Sequence, residues 1–243
     1  MPDWVVVAVD VPDIWPSPES IVQFRNREFI LRPGAADIYP DVSLLRESGE
    51  SYEEAATLVH RFLSALCWVE RTPLVVKGHS GGTHRTRIGG RPRRPGLPGV
   101  STVVRPPEFR VPSLPESVGS EGKLALALYR EALGLNHETY QFLGFFKILN
   151  IRYAKEDQAK WINRNLDKLK YPAQGQVQKL QQSQPDIGQY LYTQGRCAVA
   201  HANAPPTADP DRLDHTHQFN LDLPVIRELA ELFIETELGI PRP

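Results

Sequence analysis

The sequence predicts an α+β chain overall: an amino-terminal α/β or α+β domain followed by an all-α helical bundle. Three observations carry this. Residues 1–110 mix β-rich runs with one long amphipathic helix; from Glu121 onward, apolar residues recur at helical spacing in successive segments; and between the two lies a proline-rich stretch. With 243 residues and 41% apolar content, the chain can build one large core or two modest ones.

In the first part, Trp4-Val-Val-Val-Ala-Val-Asp-Val-Pro12 is rich in β-branched residues and reads as a strand. Glu50 to Glu70 has the period of an amphipathic helix, and Pro73-Leu-Val-Val-Lys-Gly78 reads as a strand again. Pro106, Pro107, Pro112 and Pro115, followed by Gly119 and Ser120, interrupt regular structure and predict a linker over 111–120. Five helical segments are expected beyond it, at about 121–134, 137–153, 155–170, 186–203 and 223–238. Gly134 stops the first, Pro172 and Gly175 interrupt after the third, and Pro205-Pro206 end the fourth. The last domain is therefore expected to span 121–243.

A formal net charge of -1 argues against a protein that coats nucleic acid or a membrane surface through bulk charge. The amino terminus opens Met1-Pro-Asp-Trp with an acid and no basic region. No apolar run approaches the roughly 18 to 20 residues that a bilayer crossing needs. A cytoplasmic protein with no membrane contact is expected. Cys67 and Cys197 are the only cysteines, too few for a disulfide framework or a four-thiolate metal site.

The run Gly78-His79-Ser80-Gly81-Gly82 spells G-x-S-x-G, the nucleophile-elbow motif of serine hydrolases. An elbow needs a helix directly after the serine. Here Thr83 to Gly99 contains Gly89, Gly90, Pro92, Pro95, Gly96 and Pro98, which rule out a regular helix, so Ser80 is read as part of a turn at a strand end. The same loop, 83–99, is basic. No acid lies between Glu70 and Glu108, whereas Arg85, Arg87, Arg91, Arg93 and Arg94 accumulate as candidate nucleic-acid-binding residues, planar forks suited to phosphate oxygens. A mobile, solvated loop accounts for the composition equally well.

In the fourth helical segment, "QGRCAVAHANAPP" places Arg196 and His201 in an R-x4-H arrangement just before the helix-ending prolines. This motif, behind "LALALYREALGLNHETYQFLGFFKILNIRY", resembles the HEPN superfamily of higher eukaryote and prokaryote nucleotide-binding domains. The nearest likeness is to the Apea-like group and the methylamine-utilisation MauJ-like proteins, over roughly residues 120 to 240. The resemblance implies a HEPN-like helical bundle, a metal-independent endoribonuclease site at Arg196 and His201, RNA as substrate, no cofactor, and a homodimer bringing two motifs to one cleft. The superfamily also holds non-catalytic nucleic-acid- or protein-binding modules, and that alternative stays open. Where the family often has asparagine directly after the arginine, this chain has Cys197.

The chemistry is reasonable apart from any family. Cleavage of RNA by its own 2′-hydroxyl needs one group to manage a proton and another to hold charge on phosphorus. His201, in the last helical turn, is expected as the proton donor and Arg196 as the fork on the phosphate oxygens. Residues five apart on an ideal α-helix nevertheless point about 140° from each other. Arg196 is equally open to pairing with a neighbouring acid, and His201 to capping helix-end carbonyls. Finally, Asp214-His215-Thr216-His217 is an H-x-H beside a carboxylate. In an extended segment its histidines share a face, and His201 or Asp209 would have to close a metal site around them. A solvated polar loop needs no metal, so none is expected; such a loop would instead overhang the Arg196/His201 end and offer His215 or His217 as a second acid or base.

Overall fold

A computed structural model of the chain describes residues 3–11, 15–16, 18–91, 114–116, 118–201, 203, 205–209 and 211–241. It divides into two compact units, Met1–Ser117 and Val118–Arg242.

The first unit is a five-stranded sheet with one helix: β1 (Trp4–Asp10), β2 (Ser20–Phe24), β3 (Arg27–Arg32), β4 (Asp41–Leu45), α1 (Tyr52–Glu70) and β5 (Val75–Gly82), in the order β2-β3-β4-β1-β5. Every neighbouring pair is antiparallel, so the unit is α+β rather than α/β. β1 is buried at each position from Val5 to Val9, the continuous apolar run of a central strand. β4 and β5 flank it and run parallel to each other, which calls for a long crossover. α1 supplies it, starting at a capping box in which Ser51 and Glu54 satisfy each other's backbone N–H. Phe62 of α1 stacks on Phe29 with ring centroids 4.7 Å apart, and Phe24 packs edge-on against both. β2 and β3 escape sequence reading because their hairpin turns on Arg25-Asn26, both at positive φ, without the glycine that usually marks such a turn.

β5 continues through the G-x-S-x-G run, and Ser80 pairs with Val6 of β1. Its hydroxyl donates to the Thr86 carbonyl at 2.9 Å, and among the described residues that follow, up to Arg91, there is no helix. Gly81 serves packing: a Cβ there would lie 2.6 Å from the Tyr52 ring, whose hydroxyl donates to the Ser80 carbonyl.

The described part of the basic segment, up to Arg91, is anchored rather than loose. Tyr39 N–H donates to the Ile88 carbonyl, Arg91 N–H to that of Asp37, and Ile38 bridges Gly89. Beneath it sits Asp41, 0% exposed, paired with Arg32 at 2.7 Å and Arg87 at 3.4 Å and accepting from Ser43. Arg87 also donates to the carbonyls of Pro33 and Tyr39, and Arg32 to that of Arg85.

The second unit is helical: α2 (Ser120–Gly134), α3 (Glu138–Leu149), α4 (Lys155–Asn165), a 3₁₀ turn (Leu166–Lys168), α5 (Ala173–Gln181), α6 (Ile187–Tyr190), a π-helical turn (Leu191–Cys197), α7 (Ala198–Ala200) and α8 (Leu213–Thr236). α3 and α8 form its centre. Phe142 of α3 meets Phe219 of α8 edge to face, and Phe145, Phe146, Val225, Ile226, Leu229 and Phe233 fill the space around them. A fully buried carboxylate, Glu231, accepts from the Tyr129 hydroxyl at 2.6 Å and from Arg227 at 3.0 Å.

Two elements depart from the sequence expectation. α5 forms despite Pro172 and Gly175, since Pro172 stands at its N-cap and Ala173, Val177 and Leu180 still make a buried stripe. α8 begins ten residues before the expected 223, and Pro224 lies inside it. Its first turns bury only Phe219 and Asp222, too few to show an apolar period.

Asp41→Ala should leave two guanidinium groups facing a buried site and cost on the order of 3–5 kcal/mol. The check is urea unfolding of this variant together with amide exchange in β3 and β4. Exchange and midpoint like those of the wild type would show that the cluster does not hold the sheet.

Candidate functional site

The segment carrying the R-x4-H motif is placed by polar and steric contacts upstream of it. Asp186 accepts from the Gln189 N–H at 2.7 Å and the Asn163 side chain at 2.8 Å, and both bonds, that to Asn163 foremost, hold its carboxyl below the usual range. Asn163 returns its carbonyl to Gly188 N–H at 2.8 Å. A Cβ on Gly188 would lie 2.2 Å from the Ala159 carbonyl oxygen, so glycine lets α6 touch the backbone of α4.

From Leu191 to Cys197 the ladder is π-helical, with i→i+5 bonds. Gly195 sits against the Phe142 ring, where a Cβ would come within 2.5 Å of Cζ. The helix ends at His201, whose backbone is extended (φ -129, ψ 119) while its N–H donates to the Cys197 carbonyl. The returning chain is pinned by Ala208 N–H donating to the Ala198 carbonyl at 2.8 Å.

These features remove the 140° separation of an ideal α-helix. The π turn ends at Cys197 and Ala198–Ala200 is α-helical again, so the approach of the two side chains depends on the extended backbone at His201 and on the reach of the arginine. Arg196 Nη1 lies 3.3 Å from His201 Nε2. Since a guanidinium can only donate, the contact is a hydrogen bond in the tautomer that presents the Nε2 lone pair. Arg196 also lies 5.7 Å from the Tyr192 ring centroid and donates weakly to the Cys197 sulfur at 3.8 Å. Burial, and then Cys197, push the Tyr192 hydroxyl up from its ordinary value. The pair opens to solvent, with His201 exposed and Arg196 half-buried.

Behind this pair, the other face of the segment lines a cleft of about 680 Å³ closed by the first half of α8. On its wall Tyr190 donates to Asp222 at 2.7 Å, Gln218 donates to both, and Gln176 donates to the second Asp222 oxygen. Asp222 is 4% exposed. Burial, with the Asp222 carboxylate next, drives the Tyr190 hydroxyl well above its ordinary value, so it stays a donor.

His215 and His217 belong to α8, where residues two apart point about 160° away from each other, and they do not converge as an extended H-x-H would. His215 lines the cleft and accepts from the Asp209 N–H at 3.0 Å. Among the described residues no group of three or more His, Cys, Asp or Glu side chains is arranged to hold a metal. In the first unit, Arg85 pairs with Glu19 at 3.2 Å and lies over the Trp4 ring, Arg87 is held by Asp41, and Arg91 packs against Gly34. Arg93 and Arg94 lie outside the described residues. Tyr192 and Gly195 escape sequence reading; a glycine inside a helical pattern, which costs about 1 kcal/mol against alanine, is the signal that marks the second.

Residues 125–235, from α2 to near the end of α8 and including Arg196 and His201, match the family model described as "Methylamine utilization protein MauJ". The helical unit is thus MauJ-like over most of its length. No curated protein and no solved structure matches the chain.

Gly195→Ala is expected to force Phe142 aside and destabilise the helical unit by about 1–3 kcal/mol, in the range of overpacked sites. Adding Phe142→Leu should recover part of the loss in a thermal melt. An unperturbed Gly195→Ala protein would mean that the π turn does not depend on this contact.

Proposed function

We propose that the MauJ-like helical unit is a HEPN-type, metal-independent endoribonuclease with Arg196 and His201 at its centre. The observation that carries this reading is their approach, 3.3 Å between Nη1 and Nε2, at an exposed helix end. The π turn supports it, since such turns recur where a helix must redirect a side chain for function.

When an RNA phosphate enters, the Arg196 fork shifts from the imidazole to two non-bridging oxygens, a stronger charge-assisted pairing. Nε2 of His201 is then free to take the proton of the 2′-hydroxyl. The 2′-oxygen attacks phosphorus, the bond from phosphorus to the 5′-oxygen breaks, and that oxygen leaves with a proton. The products are a 2′,3′-cyclic phosphate and a 5′-hydroxyl. His201 as base follows from its accepting role toward Arg196, whereas its place at a helix end favours the donor role. In a homodimer the two copies of His201 divide these tasks. Basic residues of the first unit add affinity, chiefly Arg91, Arg93 and Arg94, because Arg85 and Arg87 are already held by Glu19 and Asp41.

A second reading, a non-catalytic binding module, is favoured by the cleft behind the motif, where Tyr190, Gln218 and Asp222 present a polar wall. Fold alone does not imply activity.

His201→Ala and Arg196→Ala should each lower cleavage by about 100-fold or more, as expected for loss of a proton-transfer group or a transition-state charge partner. Melting temperatures should hardly move, because the pair faces solvent. Cleavage should persist in EDTA. Wild-type protein that binds RNA without cutting it would replace the enzyme by the binding module. Changing Arg91, Arg93 and Arg94 to Gln should flatten the slope of log affinity against log salt by about 2, from about 0.7 per phosphate contact on a single strand; an unchanged slope removes the loop from the interface.

A further inference from the structure

His79, the x of the G-x-S-x-G run, meets His60 from α1 end to end, with their Nε2 atoms 2.8 Å apart, ring centroids 5.1 Å apart and ring planes inclined by 23°. We propose that His60 and His79 form a two-imidazole site for a borderline divalent transition-metal ion of the Zn²⁺ or Ni²⁺ class, distinct from the Arg196/His201 pair and independent of its activity.

The argument begins with the protons. Two neutral imidazoles facing each other through Nε2 form one hydrogen bond, in which one ring carries its proton on Nε2 and the other on Nδ1. If the first ring moves its proton to Nδ1, both Nε2 lone pairs point at one spot, with no proton released. A tetrahedral ion bound at 2.0–2.1 Å by two nitrogens separates them by about 3.4 Å. The rings must therefore open by about 0.6 Å, within reach of small side-chain rotations.

The elements that carry the rings are fixed. His79 is in register with Val7 within the β1–β5 ladder, and the carbonyl of His60 accepts from Ser64 Oγ at 2.9 Å within α1. The ligand pair is thus largely positioned before an ion arrives, and little ordering remains to be done on binding. His79 is exposed and His60 half-buried, so the remaining coordination positions face water. Two neutral nitrogens without a carboxylate select against Mg²⁺ and Ca²⁺, which take oxygen ligands, and favour ions that accept imidazole. The described residues offer no third His, Cys, Asp or Glu at this place, so coordination is completed by water. A bound ion would tie α1 to the edge strand β5 and answer why a histidine stands in a run whose serine serves only a backbone carbonyl.

The test titrates the full chain with Zn²⁺ and Ni²⁺, with Mg²⁺ as control, by calorimetry and by the NMR resonances of the histidine rings. The expected result is saturable binding of one ion by this pair, with joint shifts of His60 and His79, no response to Mg²⁺, and weaker affinity as pH falls from 8 to 6 because protons then compete. His60→Ala and His79→Ala should each weaken this binding by at least 10-fold and remove the metal-dependent rise in melting temperature. Ni²⁺ also broadens nearby resonances. Broadening centred on His60 and His79 in the unaltered protein supports the site even if a variant fails to fold. Absence of saturable binding, broadening centred on other histidines, or affinities unchanged in both variants would overturn the proposal.

Discussion

The contact between Gly195 and the Phe142 ring shapes the end of the helical unit that carries Arg196 and His201. With no side chain at 195, the segment lies flat against α3 and follows a widened i→i+5 path from Leu191 to Cys197. Beyond it Ala198–Ala200 is α-helical, and the chain leaves the helix in an extended conformation at His201, 3.3 Å from Arg196. A regular α-helix would separate the two by more than a third of a turn. The same aromatic ring meets Phe219 of α8, so the core of the unit and the geometry of the motif share one side chain.

The segment has two distinct faces. One presents Arg196, His201 and Tyr192 to solvent; the other, through Tyr190, Gly195 and Ala198, lines the cleft against α8. Asp222 is buried there with hydrogen bonds from three donors, Tyr190, Gln218 and Gln176, the satisfaction that a carboxylate needs when removed from water. Upstream, the exchange among Asn163, Asp186 and Gly188 fixes where the segment starts, and Ala208 fixes where the chain returns.

In the first unit, buried charge performs the corresponding task. Asp41 has no exposure, and two arginines from different segments converge on it. An isolated carboxylate in that position would be strongly unfavourable, so the cluster commits the basic segment to the β3–β4 connection. Arginines that look like a free positive patch in a linear sequence are in part internal ligands for an acid more than forty residues away. Linear charge counting cannot see this, since Asp41 lies outside the acid-free window.

Much was legible without coordinates. The valine run of β1, the S-x-x-E start of α1, the change to helical period after the prolines and the R-x4-H spacing depend on local backbone preference and periodicity, which a sequence carries directly. α8 was legible only in its apolar half, because its first turns bury just Phe219 and Asp222 and Pro224 imitates a helix start. Tertiary packing alone decided that Gly195 faces an aromatic ring, that a widened turn runs from Leu191 to Cys197, that Arg87 belongs to Asp41, and that His79 meets His60. Each of these depends on which distant side chain occupies the facing position, and that identity is set by the joint packing of several elements rather than by the residues on either side.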